Sequence, residues 1–225
     1  MSEIPELSIA VPARDEEPNL AALVDEVRRS VVETGVDAEL VIVDDGSRDG
    51  TPARLAELAR LHPWLHAYRL EEPLGQSAAL ALAIAMARGR FIGMLDADLQ
   101  NDPADLVPLL ALVRRGDAEL AQGVRVVRHD TAGRKLASAI GWAARRLILG
   151  DLTRDTGCTT RVLTESLARR LPLHLRGLHR FVPVYARGIG ARVTEIPVDI
   201  ARGAPASRST GTSRAAPRAS STVWA

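Results

Sequence analysis

What this chain of 225 residues lacks narrows its class before any motif is read. Its one cysteine, Cys158, cannot close an internal disulfide, which suits a reducing cytosol. Lys135 is the sole lysine among 29 basic residues. That bias, like the abundance of alanine, reads as GC-rich codon usage rather than chemistry. Acidic and basic residues nearly cancel, for a net charge of +1, so no global field draws nucleic acid or an acidic membrane. The longest uncharged apolar run, residues 74–87, is rich in alanine. It is too short to span a bilayer and reads as a buried helix, so no transmembrane helix is expected. Met1-Ser2-Glu3-Ile4-Pro5 has no basic region ahead of an apolar core, so no signal peptide is expected. Internal repeats are absent as well.

What remains is ordinary globular material, 46% hydrophobic and 25% charged. It suits one α/β domain of roughly 200 residues with a substantial core. Strand and helix signals alternate with short turns through the first 125 residues, predicting a mostly parallel sheet with helices on both faces. Strands are expected at 7–11, where Pro12 should stop the first, and at 40–43, 65–70, 91–95 and 118–124. A helix opens at Pro18, with Leu20, Leu23, Val24, Val27 and Val31 at helical spacing. Others are expected at 51–61, 76–88 and 103–114. Further on, the pattern predicts a long helix over 131–149, a helix over 162–171 and a last strand over 191–198. The 131–149 helix has Arg134, Lys135, Arg145 and Arg146 near its ends. It either lies on a membrane surface or packs on the sheet. Residues 201–225 have no acidic residue and almost nothing apolar before Val223-Trp224, so they are expected to be disordered.

The chemistry gathers at strand ends. Asp96-Ala97-Asp98-Leu99-Gln100 follows the apolar run Phe91-Ile92-Gly93-Met94-Leu95, placing two carboxylates and an amide at the C-terminal edge of a buried strand. Ligands of open α/β sheets sit at that edge. Hard oxygen donors suit Mg²⁺ or Mn²⁺ on a diphosphate. The alternative is an acidic loop that caps the next helix, since Asp102-Pro103 has the form of an N-cap followed by Pro at the first helical position. Two other strand ends should share the edge, with Pro12-Ala13-Arg14-Asp15-Glu16-Glu17 and Asp44-Asp45-Gly46-Ser47-Arg48-Asp49-Gly50-Thr51. Carboxylates brought together there repel unless a cation or hydrogen-bond donors compensate them.

In order along the chain, V-P-A-R-D-E-E-P-N-L, V-I-V-D-D-G-S-R-D-G-T, G-Q-S-A-A-L and D-A-D-L-Q-N-D-P resemble glycosyltransferase family 2. D-T-G-C at Asp155 to Cys158 and the His179-Arg180-Phe181 element are similar to bacterial polyprenyl-phosphate glycosyltransferases of the dolichyl-phosphate mannose synthase type. The resemblance covers residues 6–199, so 1–199 is expected to be the catalytic domain. It implies a GT-A nucleotide-diphospho-sugar transferase fold and an inverting transfer of a mannose- or glucose-like sugar from a nucleoside-diphosphate donor to a polyprenyl or dolichyl phosphate. The implied location is the inner face of the cytoplasmic membrane, with no nucleic-acid partner.

By the same resemblance, Pro12, Arg14, Glu16, Val43, Asp44 and Asp45 hold the base and ribose, and Asp96 and Ala97 touch the nucleotide. Asp98 and Gln100 hold Mg²⁺ or Mn²⁺, and Arg125 pairs with phosphate, the alternative for it being an exposed salt bridge. Asp155 serves near the acceptor as base or positioning residue, or is structural. Arg14 stands where Tyr or Asn is common, which leaves the base open. Cys158 reads as a small core residue. Two alternatives stand beside this reading: transfer to a non-lipid glycan or alcohol, where Asp155 would matter more, and a nucleotide-sugar-binding remnant with impaired catalysis. A nucleotidyltransferase is disfavoured, because no Gly-rich phosphate loop with a basic residue follows the first strand.

The tail departs from the family. Relatives continue after Glu195-Ile196-Pro197-Val198 with H-R-P-R, then G-x-S-K-Y-G, then hydrophobic or amphipathic helices. Reading one nucleotide earlier, with permitted third bases, residues 200–213 become H-R-P-R-R-A-G-V-S-K-Y-G-N-L. The expectation is a frameshift near Val198 and Asp199 that replaces phosphate-binding residues and anchoring helices with 200–225.

Overall fold

The computed structural model describes residues 4–125, 155, 157–198 and 221–223. Its strands are β1 (Leu7–Ala13), β2 (Ala38–Asp44), β3 (Leu65–Leu70), β4 (Phe91–Met94), β5 (Leu120–Arg125), β6 (Arg161–Thr164), β7 (Val193–Val198) and β8 (Ser221–Val223). Its helices are α1 (Glu17–Ser30), α2 (Thr51–Leu61), α3 (Gln76–Met86), α4 (Leu106–Arg114), α5 (Glu165–Ala168) and α6 (Val182–Gly188). The strands form one sheet in the order β7-β5-β6-β4-β1-β2-β3-β8. The β4-β1-β2-β3 half is parallel, as the βαβ rhythm demands. β6 runs antiparallel between β4 and β5, and β7 returns parallel to β5.

The central strands are buried on both faces, so each reads as a continuous apolar run. Ile9, Val11, Leu40 and Ile42 pack with Leu20, Leu23, Val24 and Val27 of α1, Leu55 of α2 and Leu109 of α4. Ala10, Val41, Val43 and Met94 meet Ala79, Leu80 and Ala83 of α3, with Val182 and Ala186 of α6 beyond. The alanine-rich run is thus helical over Gln76–Met86, but it buries only the face with Ser77, Ala79, Leu80, Ala83 and Ile84, and Ala85 is exposed.

Two expectations need correction. Pro12 does not stop β1, which pairs with β2 through Ala13 opposite Asp44. Asp45 N donates to Ala13 O and Leu95 N to Ala10 O, so alternate residues of β1 face β2 and β4. Pro12 falls on the β4 side, beyond the last pair Ala10–Met94, where its missing N–H breaks no ladder bond. The helix expected over 162–171 begins as a strand and ends early: Arg161–Thr164 is β6, and only Glu165–Ala168 is helical. Thr164 ends the strand by capping α5, its Oγ1 accepting from Leu167 N at 3.3 Å.

Smaller differences concern boundaries. α3 ends at Met86, and a 3₁₀ turn over Pro103–Asp105, capped by Asp102, precedes α4. The helix expected over 131–149 lies outside the described residues. Of 201–225, Ser221–Val223 is described, paired antiparallel with β3 so that Val223 stands opposite Tyr68. Among the described residues no helix is long and apolar enough to cross a membrane.

Candidate active site

β1, β2 and β4 end together, and the loops after β1 and β2 are stitched to each other. Asp15 N donates to Ser47 Oγ at 2.8 Å, and Arg48 N returns the contact to Asp15 Oδ1 at 2.8 Å. Glu16 N donates to Thr51 Oγ1 at 2.9 Å, while Gly50 N donates to Glu17 Oε2 at 3.0 Å. Gly46 turns between them at φ 65°, where a Cβ would lie 2.7 Å from Pro73 N. No larger residue fits there. Asp15 and Leu99 also have positive φ, 54° and 58°. For a bulky apolar residue such as Leu99 that conformation is strained, and it lies inside the Asp96–Gln100 loop.

The three loops wall a cleft of about 320 Å³ lined by Pro12, Ala13, Arg14, Glu16, Asp45, Gly75, Gln76, Asp96, Ala97 and Asp98. Seven of the residues expected to serve the donor thus meet in one place: Pro12, Arg14, Glu16, Asp45, Asp96, Ala97 and Asp98. Asp45 also fixes the far wall, accepting from Leu74 N at 2.7 Å and Gly75 N at 3.0 Å. Asp96 forms the floor, accepting from Gln76 Nε2 at 2.8 Å and Thr159 Oγ1 at 2.6 Å.

The other expected residues stand elsewhere. Val43 is wholly buried against the α3 side. Asp44 is 1% exposed, accepts from Ser47 N at 2.9 Å and lies 3.3 Å from Arg69 Nε. Gln100 is exposed and outside the cleft lining, its N–H donating to Asp98 Oδ1 at 3.1 Å. Asp155 is 1% exposed and outside that lining too. It takes a two-pronged bond from Arg125, Nε to Oδ2 at 2.8 Å and Nη2 to Oδ1 at 3.1 Å, and a third from Gly157 N at 3.0 Å. Arg125, expected on a phosphate, here clasps Asp155. Cys158 is fully buried, and burial pushes its thiol up, as befits a core residue.

The cleft carries more negative charge than its own donors neutralise. Burial, then the charges of Asp98, Asp96 and Asp49, hold the Glu16 carboxyl above its ordinary range despite a hydrogen bond from Asn19. Burial and Asp98 likewise raise Asp96, against Thr159 and the distant charges of Arg161 and Arg125. Asp45 is raised by burial although Gly75, Leu74 and Arg14 oppose it. Such a surplus fits a cation. Among the described residues no three carboxylate, imidazole or thiol groups form a compact metal cage. Mg²⁺ and Mn²⁺ do not require one, since one or two carboxylates, water and substrate phosphates complete their shell.

Beneath the floor runs a polar layer whose partnerships no single motif announced. Arg161, 1% exposed, donates from Nε to Gln122 Oε1 at 2.8 Å, from Nη1 to His179 O at 2.7 Å and from Nη2 to Cys158 O at 2.7 Å. Burial lowers it to about 10, so it stays charged at neutral pH. Gln122 Nε2 in turn donates to Asp155 O at 2.7 Å. His179 Nδ1 meets Ser77 Oγ at 2.8 Å. Burial and the charges of Arg180 and Arg161 lower this imidazole to about 4, keeping it neutral. The layer therefore links Asp96, through Thr159 and the Cys158 backbone, to the Arg125–Asp155 pair.

The model of the family described as "Glycosyl transferase family 2" matches residues 8–175. The chain belongs to glycosyltransferase family 2. A dodecaprenyl-phosphate galacturonate synthase of Rhizobium johnstonii is 34% identical over 199 residues, which are 86% of this chain and 58% of that protein. An undecaprenyl-phosphate 4-deoxy-4-formamido-L-arabinose transferase of Pseudomonas fluorescens is 32% identical over 194 residues, 85% of this chain and 56% of that one. The chain thus spans little more than half the length of these curated relatives.

Among solved structures, a glucosyl-3-phosphoglycerate synthase of Mycobacterium tuberculosis in complex with Mn²⁺ and uridine diphosphate superposes with a TM-score of 0.66 at 20% identity, covering 89% of this chain and 73% of that one. A mannosyltransferase of Pyrobaculum calidifontis in complex with GDP-Man and Mn²⁺ gives 0.67 at 19% identity, covering 91% and 58%. The fold is the GT-A type expected of a family 2 glycosyltransferase. Of the residues that build its floor, Gln76, Ser77 and His179 lay inside motifs recognised in the sequence. Gln122, Thr159 and Arg161 carried no comparable signal.

Proposed function

We propose that this family 2 chain is an inverting, metal-dependent hexosyltransferase acting from a nucleoside-diphosphate sugar onto a polyprenyl phosphate. The observation that carries the reading is the single cleft in which Arg14, Glu16, Asp45, Asp96 and Asp98 meet with unbalanced negative charge. Pro12, Arg14, Glu16, Asp45 and Ala97 receive the base and ribose. Val43 and Asp44 act from behind the wall by holding the end of β2. Asp98, with Gln100, would hold Mg²⁺ or Mn²⁺, which when bound neutralises charge developing on the departing diphosphate. Asp96, oriented by Gln76 and Thr159, keeps the nucleotide in register.

Transfer is one in-line displacement. An acceptor phosphate oxygen forms a bond to the anomeric carbon, and the bond to the donor diphosphate breaks with its electron pair leaving on the nucleoside diphosphate. A phosphate acceptor is already anionic at neutral pH and needs no strong base. That agrees with Asp155, whose oxygens are occupied by Arg125 and Gly157. Its proposed role is to aim Arg125 at the acceptor phosphate, and transfer to an alcohol is correspondingly disfavoured. The relatives named for dodecaprenyl and undecaprenyl phosphate support the acceptor class. Bound GDP-Man, UDP and Mn²⁺ in structures of the same fold support the donor and metal. The proposed place of work is the inner face of the cytoplasmic membrane.

A second reading, a nucleotide-sugar-binding remnant, is favoured by the tail, whose 200–213 stretch lacks the family motif as given and can encode it one nucleotide earlier with permitted third bases. Both readings face one experiment. This chain and its frame-corrected form are incubated with labelled nucleotide sugars, including mannose, glucose, galacturonate and 4-deoxy-4-formamido-L-arabinose donors, with polyprenyl phosphate and Mg²⁺ or Mn²⁺. Chelator-sensitive transfer by the corrected form is expected, with weak or no transfer but retained donor binding by this chain. No transfer by either, to any lipid acceptor, sinks the leading reading. Gene sequence that does not spell the motif in the shifted frame ends the frameshift.

A further inference from the structure

Residues 169–181 run beside α3 from one end to the other. Arg169 Nη2 donates to Ala87 O at 3.1 Å, just past the last turn of α3, and His179 meets Ser77 in its first turn. In between, Leu171 and Leu173 anchor the segment in the core, while His174, Leu175 and Arg176 turn outward. Arg180 and Phe181 do the same next to the cleft floor. Leu175 is 51% exposed and Phe181 42%. Among the described residues four large hydrophobics are exposed, and two of them stand in this one short segment. The chain has only two phenylalanines, so leaving one in water is a costly use of it.

The charge around them is one-sided. From Ser166 to Thr194 there is no Asp or Glu, against arginines at 169, 170, 176, 180, 187 and 192. Arg169 pairs with Glu165 and Arg187 with Glu195. Arg170, Arg176 and Arg180 have no ion pair among the described residues. Uncompensated guanidinium groups flanking outward apolar tips match the boundary of a bilayer, where phosphate headgroups overlie acyl chains. A free polyanion would satisfy the arginines and leave Leu175 and Phe181 unrewarded.

We propose that residues 169–181 are the face on which this chain docks to an anionic bilayer, setting the cleft beside the lipid surface. The proposal deepens the lipid-acceptor reading and rests on it for its purpose, though not for its observations. Vesicles of phosphatidylcholine containing phosphatidylglycerol, free of polyprenyl phosphate and of donor, are sedimented with the protein. Pure phosphatidylcholine vesicles and a single-stranded oligonucleotide are the comparison arms. Wild type is expected to bind the anionic vesicles at low salt and to be released by salt. L175S/F181S and R176E/R180E, checked for native circular dichroism, are each expected to bind about tenfold more weakly or worse. Absence of wild-type binding, or equal binding by both variants, overturns the proposal. So does stronger binding to the oligonucleotide that ignores the serine pair, which would assign the arginines to a free polyanion. Transfer to a short, water-soluble polyprenyl phosphate, assayed separately with R176E, reports the enzymatic reading, so either idea can fail alone.

Discussion

The sheet buries acidic side chains at both of its edges and treats them in opposite ways. At the N-terminal edge of β2, Glu39 is fully buried and accepts from Ser8 Oγ at 2.6 Å and from Arg88 N, Nε and Nη2 at 2.7, 2.9 and 2.7 Å. Burial alone pushes its carboxyl up, but the bonds from Ser8 and Arg88 outweigh burial and hold it below the ordinary range. At the C-terminal edge, Glu16, Asp45 and Asp96 are all raised. One edge is a finished ion pair that ties the α3–β4 turn to β1 and β2. The other is left unbalanced by its own protein. The sheet gives Glu39 enough donors to outweigh its burial, whereas at the cleft burial and neighbouring carboxylates outweigh the donors that Glu16, Asp45 and Asp96 receive.

The sharpest way to break this contrast is to remove one charge from each edge. Asp98→Ala, made in the frame-corrected chain, should lower kcat/KM by about a thousandfold, as losing a principal electrostatic element does. Its thermal midpoint should barely move, because Asp98 lines the cleft and is not part of the core. Steady-state kinetics beside a melting curve read both, and retained activity would remove the metal assignment. Glu39→Ala is the mirror image. Leaving Ser8 and the Arg88 amide without their acceptor should destabilise the fold by about 3 kcal/mol, read by urea unfolding, with turnover per folded molecule unchanged. If Glu39→Ala proves silent in unfolding, the buried pair contributes no net stability and the contrast between the edges collapses.

A subtler test concerns Thr159, whose hydroxyl gives the Asp96 carboxylate a short bond and itself accepts from Asn101 Nδ2 at 3.2 Å. Thr159→Val keeps the shape and removes the donor. Expected is roughly a tenfold drop in kcat/KM, the worth of one charge-assisted hydrogen bond, with Thr159→Ser restoring most of it. A merely structural hydroxyl would shift the melting temperature and leave the Thr159→Ser and Thr159→Val kinetics alike.

Thr159 also marks where reading the sequence ran out. The acidic strand ends were legible because strand, turn and carboxylate are local, and their shared edge follows from parallel topology. Gln76–Asp96–Thr159 and Arg161–Gln122–Asp155 join residues far apart in the chain, and each member alone is an ordinary polar residue. Arg125 and Asp155 were both legible as charged groups of interest, but their mutual bond was not, since it joins the end of β5 to a residue 30 positions further along the chain. The helical pattern over 162–171 hides β6 for a related reason. Val162 and Leu163 are both fully buried, so the strand shows no alternation, and its apolar run merges with the short α5 that follows. Two-faced burial erases the period on which strand recognition depends.

The smallest expected effect is the most diagnostic of the contrast, because the two edges answer pH with opposite sign. Glu39 has a lowered carboxyl, so the stability it lends is present above its ordinary value of 4.5 and is lost as pH falls through its lower folded value. Glu16, Asp45 and Asp96 have ordinary values of 4.5, 3.8 and 3.8 and are raised on folding. The folded cleft then binds more protons than the unfolded chain across the window from those values up to the raised ones. Stability must fall as pH rises through that window, and the penalty is complete above it. A divalent cation competes with those protons and stabilises the folded chain by mass action, by about 1.4 kcal/mol at tenfold over its Kd. Melting temperature recorded against pH with and without Mg²⁺ should therefore show a metal-induced rise above the window that fades below it. Asp98→Asn removes a like charge that adds to burial in raising Glu16 and Asp96, so it should make the metal-free decline only slightly shallower and weaken the Mg²⁺ response. A metal effect equal at every pH, or a full Mg²⁺ response in Asp98→Asn, would mean that the cation does not compete for the cleft's carboxylates and that the two edges differ in nothing but exposure.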